Sequence, residues 1–184
     1  AVLASLLASL PFGVVGTYVV ARRISYVAGA IAHCVLGGIG TALYLQYRLD
    51  LTSYTSLPLV GAVIQALVAA IIIGLVSLYA REREDTVIGA VWAIGMAQGL
   101  LFIAKTPGYV EPMSYLFGGI VYVTTSDLWL AATLAAAVVG VSLFFYNKLV
   151  AVCFDEEFAR LRGVRVEFYY LLLICLTAIT VVLL

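Results

Sequence analysis

The single histidine of the chain, His33, lies inside an apolar stretch that contains no Asp, Glu, Lys or Arg. A histidine can bind a metal ion, transfer protons or form a hydrogen bond near neutral pH, and the pattern leaves these roles open. Gly29, Gly37 and Thr41 are spaced from His33 at intervals of four residues, so all four share one face if the stretch is helical. Glycines on such a face let a second helix approach closely, which makes Gly29, Gly37 and Gly38 candidates for helix packing.

A second pattern covers residues 154–163, where charged and apolar side chains are arranged as in a short capped helix. Asp155 is a suitable N-cap, and Gly163 is a suitable C-terminal stop. Glu156 and Arg160 are spaced to form a favourable ion pair one turn apart. We therefore predict a short helix near 155–163, with the candidate interaction residues Phe154, Asp155, Glu156, Glu157, Phe158, Ala159, Arg160, Leu161 and Gly163.

The apolar residues of this short helix, Phe154, Phe158 and Leu161, share one side. Such a side binds either a membrane surface or a groove on a partner protein. The helix is too short for strong membrane binding by itself, which favours the partner.

The sequence contains no recognisable set of side chains arranged for catalysis. His33 and Cys34 are neighbours, and neighbouring side chains on a helix point about 100° apart, so they do not form a catalytic dyad. The chain also has no Gly-x-x-x-x-Gly-Lys-Ser/Thr loop for nucleotide phosphates. We therefore expect a protein that is not an enzyme, does not hydrolyse ATP itself and carries no covalently bound cofactor.

The fractions of hydrophobic and charged residues indicate which kind of secondary structure holds these side chains. Of 184 residues, 65% are hydrophobic and 11% are charged, whereas soluble domains have about 45–50% and about 25%. This excludes a soluble enzyme and a disordered chain, and a net charge of zero gives no sign of nucleic-acid binding. Six stretches lack Asp, Glu, Lys and Arg: residues 1–20, 24–47, 57–80, 86–104, 128–147 and 168–184.

These stretches match the ~20 residues that a membrane-spanning helix needs. They do not alternate polar and apolar residues, as the strands of a membrane barrel would. The sequence therefore predicts an all-α polytopic membrane protein with a bundle of about six transmembrane helices in a single domain, 1–184.

The basic residues indicate the orientation of the bundle. Arg48 and Lys105 lie in two of the loops, and the other eight lie in three alternate loops: Arg22, Arg23, Arg81, Arg83, Lys148, Arg160, Arg162 and Arg165. Because positive charge marks cytoplasmic loops, we expect the short helix near 155–163 on the cytoplasmic side.

Residues 105–126 do not fit a full span, since Pro107 and Pro112 precede a short apolar run, Tyr115 to Val123, that is itself interrupted at Gly118. They are predicted to form an outer loop, an interfacial helix or a re-entrant segment. The chain starts without Met, and its last apolar stretch stops without a flanking charge. We therefore expect truncation at both ends, with C-terminal spans missing.

Three segments make the chain similar to permease subunits of ATP-binding-cassette (ABC) importers for zinc, manganese or iron. The first includes Gly13, Gly16, Thr17, Arg22, Arg23, His33 and Gly38; the second runs from Glu84 to Gly89, with Tyr115 to Gly118 and Asp127 further along; the third is Phe154 to Ala159 with Gly163. Their order and spacing agree over the whole chain.

The resemblance implies a multi-pass protein of the cell (inner) membrane that imports a divalent transition-metal ion by alternating access. The short helix would be a coupling helix that fits a groove on a separate cytoplasmic ATPase. Two permease copies, identical or related, would work with two ATPase subunits and an extracellular metal-binding protein. His33 would be the metal ligand, although Gly29 stands where many relatives carry an Asp, so an oxygen ligand would be missing.

Other functions remain open on the residues alone. An ATP-independent membrane channel or an assembly scaffold fits a bundle with one intramembrane histidine. The cargo could also be a metal chelate in place of the bare ion.

Overall fold

A computed structural model describes residues 2–49, 56–79, 84–107 and 125–183, and all regular structure within them is helical. The helices are α1 (Val2–Ala21), α2 (Ser25–Arg48), α3 (Leu57–Tyr79), α4 (Glu84–Lys105), α5 (Thr125–Phe144), α6 (Tyr146–Phe154), α7 (Glu156–Leu161) and α8 (Val166–Val182). In a bilayer the backbone must satisfy its polar groups within the segment, which is why apolar stretches form helices. The predicted all-helical membrane fold is confirmed.

Within the described residues, three or four helices qualify as full membrane spans by length and composition alone. In the described residues, α2, α3 and the part of α4 from Asp85 are long and apolar enough to cross a membrane, and α5 with α6 counts as a fourth span if the bent pair is one. The apolar segments Ser5–Ala21 and Val166–Val182 are shorter.

The predicted span 128–147 is helical, but it bends before its end. Helix α5 ends at Phe144, and α6 continues from Tyr146 at an angle of 72°. Tyr146 is exposed, whereas Leu149 and Val152 are buried in the protein. The chain turns because the residues after Phe145 bury their apolar side chains against the bundle and leave the polar ones outside.

Two buried clusters make up the core. The first lies between α2, α3, α4 and α8, and the second lies between α1, α5, α6, α7 and α8. Helix α8 belongs to both clusters, because Tyr170, Ile174 and Ala178 enter the first. One residue earlier along the same helix, Tyr169 and Leu173 enter the second. Spacings of four residues keep each set on its own face of the helix, so α8 joins the two halves of the bundle.

Glycines allow α2 to approach α3 and α4 at backbone distance. A Cβ added to Gly37 would lie 2.8 Å from the carbonyl oxygen of Gly95 in α4, and one added to Gly38 would overlap the carbonyl group of Gly61 in α3. Gly29 differs, since it is exposed and an added Cβ would meet nothing within 4 Å. The packing expected at Gly29 is therefore not found in the described chain, because no neighbouring helix lies against it.

The segment predicted at 105–126 lies largely outside the described residues. Helix α4 ends at Lys105 and α5 begins at Thr125, and residues 108–124 are outside the part of the chain that the structure describes.

Candidate functional site

Helix α7 forms where the short helix was predicted, and its cap is confirmed. The carboxylate Oδ1 of Asp155 accepts a hydrogen bond from the backbone N–H of Phe158 at 2.9 Å. This bond satisfies one of the N–H groups that the first turn of a helix leaves without a partner. Asp155 itself is extended, with φ −151° and ψ 100°, which separates α7 from α6.

The other end of α7 closes at Gly163, as predicted. Gly163 has φ +76°, its N–H donates to the carbonyl of Arg160 at 2.9 Å, and the N–H of Val164 donates to the carbonyl of Ala159 at 3.0 Å. This pair of bonds is the Schellman motif, in which the left-handed position favours glycine. The motif turns the chain from α7 directly into α8.

The sides of α7 differ in exposure. Ala159 is buried in the second core cluster, whereas Phe154 and Leu161 are 80% and 87% exposed and Phe158 is about half exposed. Phe154 is the last residue of α6, so these exposed apolar side chains lie just before α7 and on it. Exposed apolar side chains grouped in this way form a surface that can bind an apolar partner. We call Phe154, Phe158 and Leu161 the docking residues.

Ion pairs fix α7 to the bundle in a way that the sequence pattern did not predict. Arg22, at the end of α1, pairs with Glu156. Arg160 pairs with Glu167 of α8 at 2.9 Å. The predicted pair between Glu156 and Arg160 is therefore wrong, because each of them has a partner on a neighbouring helix in place of one on α7.

Arg22 also contacts the ring of Tyr170 in α8, with its guanidinium carbon 5.0 Å from the ring centroid. The hydroxyl groups of Tyr170 and Ser77 in α3 are 2.9 Å apart, at hydrogen-bond distance. Arg22, Glu156, Tyr170 and Ser77, which we call the Arg22 cluster, thus connect the start of α7 to α1, α3 and α8. A displacement of α7 would reach all three helices through these side chains.

The ring of His33 is stacked on Trp92 of α4, with the centroids 4.8 Å apart and the planes 6° from parallel. The Nδ1 atom of His33 is buried and has no hydrogen-bond partner in the described residues. The indole N–H of Trp92 donates to the thioether sulfur of Met96 at 2.9 Å. A buried ring nitrogen without a partner can take up a hydrogen bond or a metal ion.

Further metal ligands are not brought to His33 by the described residues, which contain no group of three or more His, Cys, Asp or Glu side chains able to hold a metal ion. Cys34 is adjacent in sequence, but its sulfur accepts a hydrogen bond from the amide of Gln65 at 3.5 Å.

The sequence pattern thus predicted α7 and its caps, and it missed Arg22 and Tyr170 as contacts of α7 and Trp92 as the contact of His33. The role of His33 stays a prediction. A single signal pointed to Arg22, namely its place in a basic pair between two apolar stretches. Nothing in a single sequence pairs residues that lie far apart along the chain.

Comparison with known proteins places the chain in a family. The pattern that describes the ABC 3 transport family matches residues 1–184. The chain belongs to this family. Its multi-pass membrane fold and the family resemblance predicted from the sequence are confirmed.

Among its relatives in the ABC 3 family, a probable metal transport system membrane protein of Chlamydia pneumoniae is 42% identical over 183 residues, covering 99% of this chain and 61% of the relative. The manganese transport system membrane protein MntC of Listeria monocytogenes is 29% identical, covering 98% of this chain and 62% of the relative. The chain therefore spans about three fifths of the length of these relatives.

A solved structure shares the fold. The structure of PsaBC from Streptococcus pneumoniae in complex with Fab matches with a TM-score of 0.78 and 28% identity, over 98% of this chain and 62% of that one. The arrangement of helices described above is therefore similar to one already observed by experiment.

Proposed function

We propose that this chain is the membrane-spanning permease part of an ABC importer that moves a divalent transition-metal ion into the cytoplasm. The observation that carries the proposal is α7, whose docking residues are exposed while its ends are tied to α1 and α8 by ion pairs. Such a helix offers an apolar face to a partner and has a firm connection to the bundle behind it. Membership of the ABC 3 family supports the same assignment.

The partner of α7 in this proposal is a separate cytoplasmic ATPase, with two permease copies and two ATPase subunits in the assembly. Closure of the ATPase moves α7, and the Arg22 cluster passes that movement to α1, α3 and α8. Because α8 packs in both core clusters, its displacement shifts one half of the bundle against the other. Rocking of two rigid halves is a physical route to alternating access.

The cargo is a bare metal ion delivered by an extracellular metal-binding protein. Two relatives are named for manganese or metal transport, so manganese is the first ion to test, followed by zinc and iron. His33 is the ligand that we propose along the path, because its buried Nδ1 has no hydrogen-bond partner in the described residues.

The test uses the complete transporter, purified with its ATPase and reconstituted in vesicles. Leu161→Glu places a charge on the docking residues at a position that is 87% exposed, so it costs the fold little. Tyr47→Glu is the matched control, since Tyr47 is also exposed but lies at the far end of α2 from the Arg22 cluster.

We expect Leu161→Glu to lose both the ATPase during purification and ATP-dependent uptake of manganese, zinc and iron, while Tyr47→Glu keeps both. Equal uptake by the two variants, or uptake that needs no ATP, would contradict the proposal and favour a channel. Uptake only when the metal is supplied as a citrate complex would identify the cargo as a chelate.

A further inference from the structure

A cavity of about 470 Å³ lies beside the turn that joins α7 to α8. Three basic residues line it, Lys148, Arg162 and Arg165, together with the aromatic rings of Phe168 and Tyr169 and the backbone at Gly163. None of the lining residues is acidic. The cavity therefore carries three positive charges and has backbone and aromatic walls.

Two acidic residues of α7 and α8 form ion pairs with arginines that do not line the cavity. Glu156 pairs with Arg22, and Glu167 pairs with Arg160. The carboxylate of Asp155 is used as the cap of α7. Among the described residues, the ion pairs leave Lys148 and Arg165 without a carboxylate.

Aromatic rings hold two of the cations in place while leaving their charge available. The ammonium group of Lys148 lies 5.5 Å from the centroid of Tyr169 and 6.0 Å from that of Phe145. The guanidinium of Arg162 lies 4.7 Å from the ring centroid of Phe158. Cation–π contacts stabilise a cation without supplying a counter-ion, so the cavity still attracts an anion.

Two of the residues that line the cavity, Phe168 and Tyr169, belong to a row of aromatic rings that runs from Phe144 through Phe145 and Tyr169 to Phe168. Successive ring centroids are 4.8, 5.6 and 5.2 Å apart, in edge-to-face contact. The outer rings are exposed, Phe144 by 81% and Phe168 by 54%. The row lies where the apolar helix α5 ends and the apolar helix α8 begins, which is the level at which aromatic rings meet lipid headgroups.

We propose that this cavity binds the phosphate of an anionic phospholipid, with the acyl chains lying along the exposed aromatic row. Basic pockets between membrane helices on the cytoplasmic side bind anionic headgroups, and Arg and Lys form charge-assisted hydrogen bonds with phosphate oxygens. The apolar row beside the cations distinguishes a lipid from a free phosphate, because only the lipid uses both. The site does not depend on the transport function.

The experiment titrates the delipidated complete transporter with phosphatidylglycerol or phosphatidylcholine and counts bound lipids by native mass spectrometry. Inorganic phosphate and glycerol 3-phosphate are added in parallel as competitors. The test variant is Lys148→Gln with Arg165→Gln, which leaves α7 intact. Arg23→Gln with Arg48→Gln is the matched control, because it removes two exposed positive charges elsewhere.

We expect the test variant to bind phosphatidylglycerol roughly thirty-fold more weakly, which is about 2 kcal/mol for two cations, and the control to bind it as the unmodified protein does. Lys148→Arg with Arg165→Lys keeps both charges and should keep the affinity. This variant also shows whether a loss comes from charge or from misfolding.

Other results would overturn the proposal. Equal phosphatidylglycerol binding by the test variant and the control would show that the cavity does not hold the lipid. Displacement of the lipid by inorganic phosphate at similar concentration would identify a free-phosphate site. Unchanged lipid binding with loss of the ATPase would show that the cavity receives an acidic segment of the partner protein.

Discussion

The stacking of His33 on Trp92 limits what the histidine can do. With one ring face covered by the indole, only the ring nitrogens remain for chemistry, and Nδ1 is buried without a hydrogen-bond partner in the described residues. Two roles are consistent with this arrangement, namely packing of α2 against α4 and transient contact with a passing ion. They make different predictions for substitutions that keep the ring.

The first prediction separates these two roles. His33→Phe keeps a ring for Trp92, and such a stack contributes roughly 0.5–1.5 kcal/mol, but it removes both nitrogens. We expect His33→Phe and His33→Ala to lower manganese uptake by about tenfold, the equivalent of about 1.4 kcal/mol of lost interaction with the ion. Uptake is measured in vesicles that contain the complete transporter. Full uptake by His33→Phe would show that the nitrogens take no part.

The second prediction concerns the ion pair between Arg22 and Glu156. Pairs that are partly exposed stabilise a fold by about 1 kcal/mol or less, so Arg22→Glu and Glu156→Arg should change the unfolding temperature little. Because the pair connects α7 to the end of α1, each single variant should reduce ATP-driven uptake about fivefold or more. The double exchange restores the pair with reversed signs but loses the contact of the Arg22 guanidinium with the ring of Tyr170, so it should recover part of the uptake.

Arg160→Glu with Glu167→Arg serves as the comparison, since it exchanges the other ion pair of α7. A double exchange of Arg22 and Glu156 that remains as impaired as the single variants would show that the pair does not transmit movement.

Residue-level features were predictable where they depend on near neighbours. Asp155 and Gly163 were found from the sequence because a cap and a stop act on groups within a few residues. The sequence did not predict the ion-pair partner of Glu156, because Arg22 is distant along the chain. Arg160, four residues after Glu156, has the spacing of an intrahelical partner and was predicted in its place. The tertiary structure decides between such partners.

At the scale of elements, two of the described helices end in the same way. At the end of α1, the N–H of Arg23 donates to the carbonyl of Val20 at 3.1 Å, and the N–H of Ile24 donates to that of Val19 at 3.0 Å. Arg23 has φ +60°, so it occupies the left-handed position that Gly163 occupies after α7. The turn after α7 has a glycine in the left-handed conformation, which glycine adopts without strain, whereas the turn after α1 has an arginine there.

The third prediction follows from this contrast. Arg23→Gly should raise the stability of the protein by about 1 kcal/mol, because a side chain in the left-handed region costs about that much. Gly163→Ala should lower it by a similar amount, although an added Cβ would meet nothing within 4 Å. Thermal unfolding in detergent measures both. A change of the same sign in the two variants would contradict the argument.

Helices were predictable from charge-free stretches, but their lengths and breaks were not. The stretch 128–147 contains no charge, so it was predicted to be one span, whereas the structure bends by 72° after Phe144. The break depends on how Leu149 and Val152 pack against the second cluster, which a count of charges does not report. Burial, and not local composition, ends α5.

At the scale of the whole molecule, glycines decide how closely the first cluster can pack. Helix α2 approaches α3 at Gly38 and α4 at Gly37. The sequence predicted Gly29, Gly37 and Gly38 as packing positions of α2. It could not show that the packing stops before Gly29, which faces no neighbour in the described chain. The points at which α3 and α4 cross α2 depend on tertiary contacts, which the sequence of α2 alone does not show.

The fourth prediction compares glycines of the same helix. Gly38→Ala should destabilise the protein by about 2 kcal/mol, since the new methyl group overpacks the crossing with Gly61. Gly29→Ala should stabilise it by roughly 0.5–1 kcal/mol, because alanine favours a helix more than glycine does. Chemical unfolding in detergent measures the difference. Similar effects of the two changes would show that α2 and α3 are not held at backbone distance.

The position of α8 in both clusters has a consequence for synthesis. Helix α8 follows in sequence all the described helices that it joins, so the ribosome releases the two halves of the bundle before the helix that fastens them together. A nascent chain that ends before Val166 would leave the sites of Tyr169 and Tyr170 open to lipid or to the insertion machinery. Among the described helices, the one that packs in both clusters is therefore also the last to be synthesised.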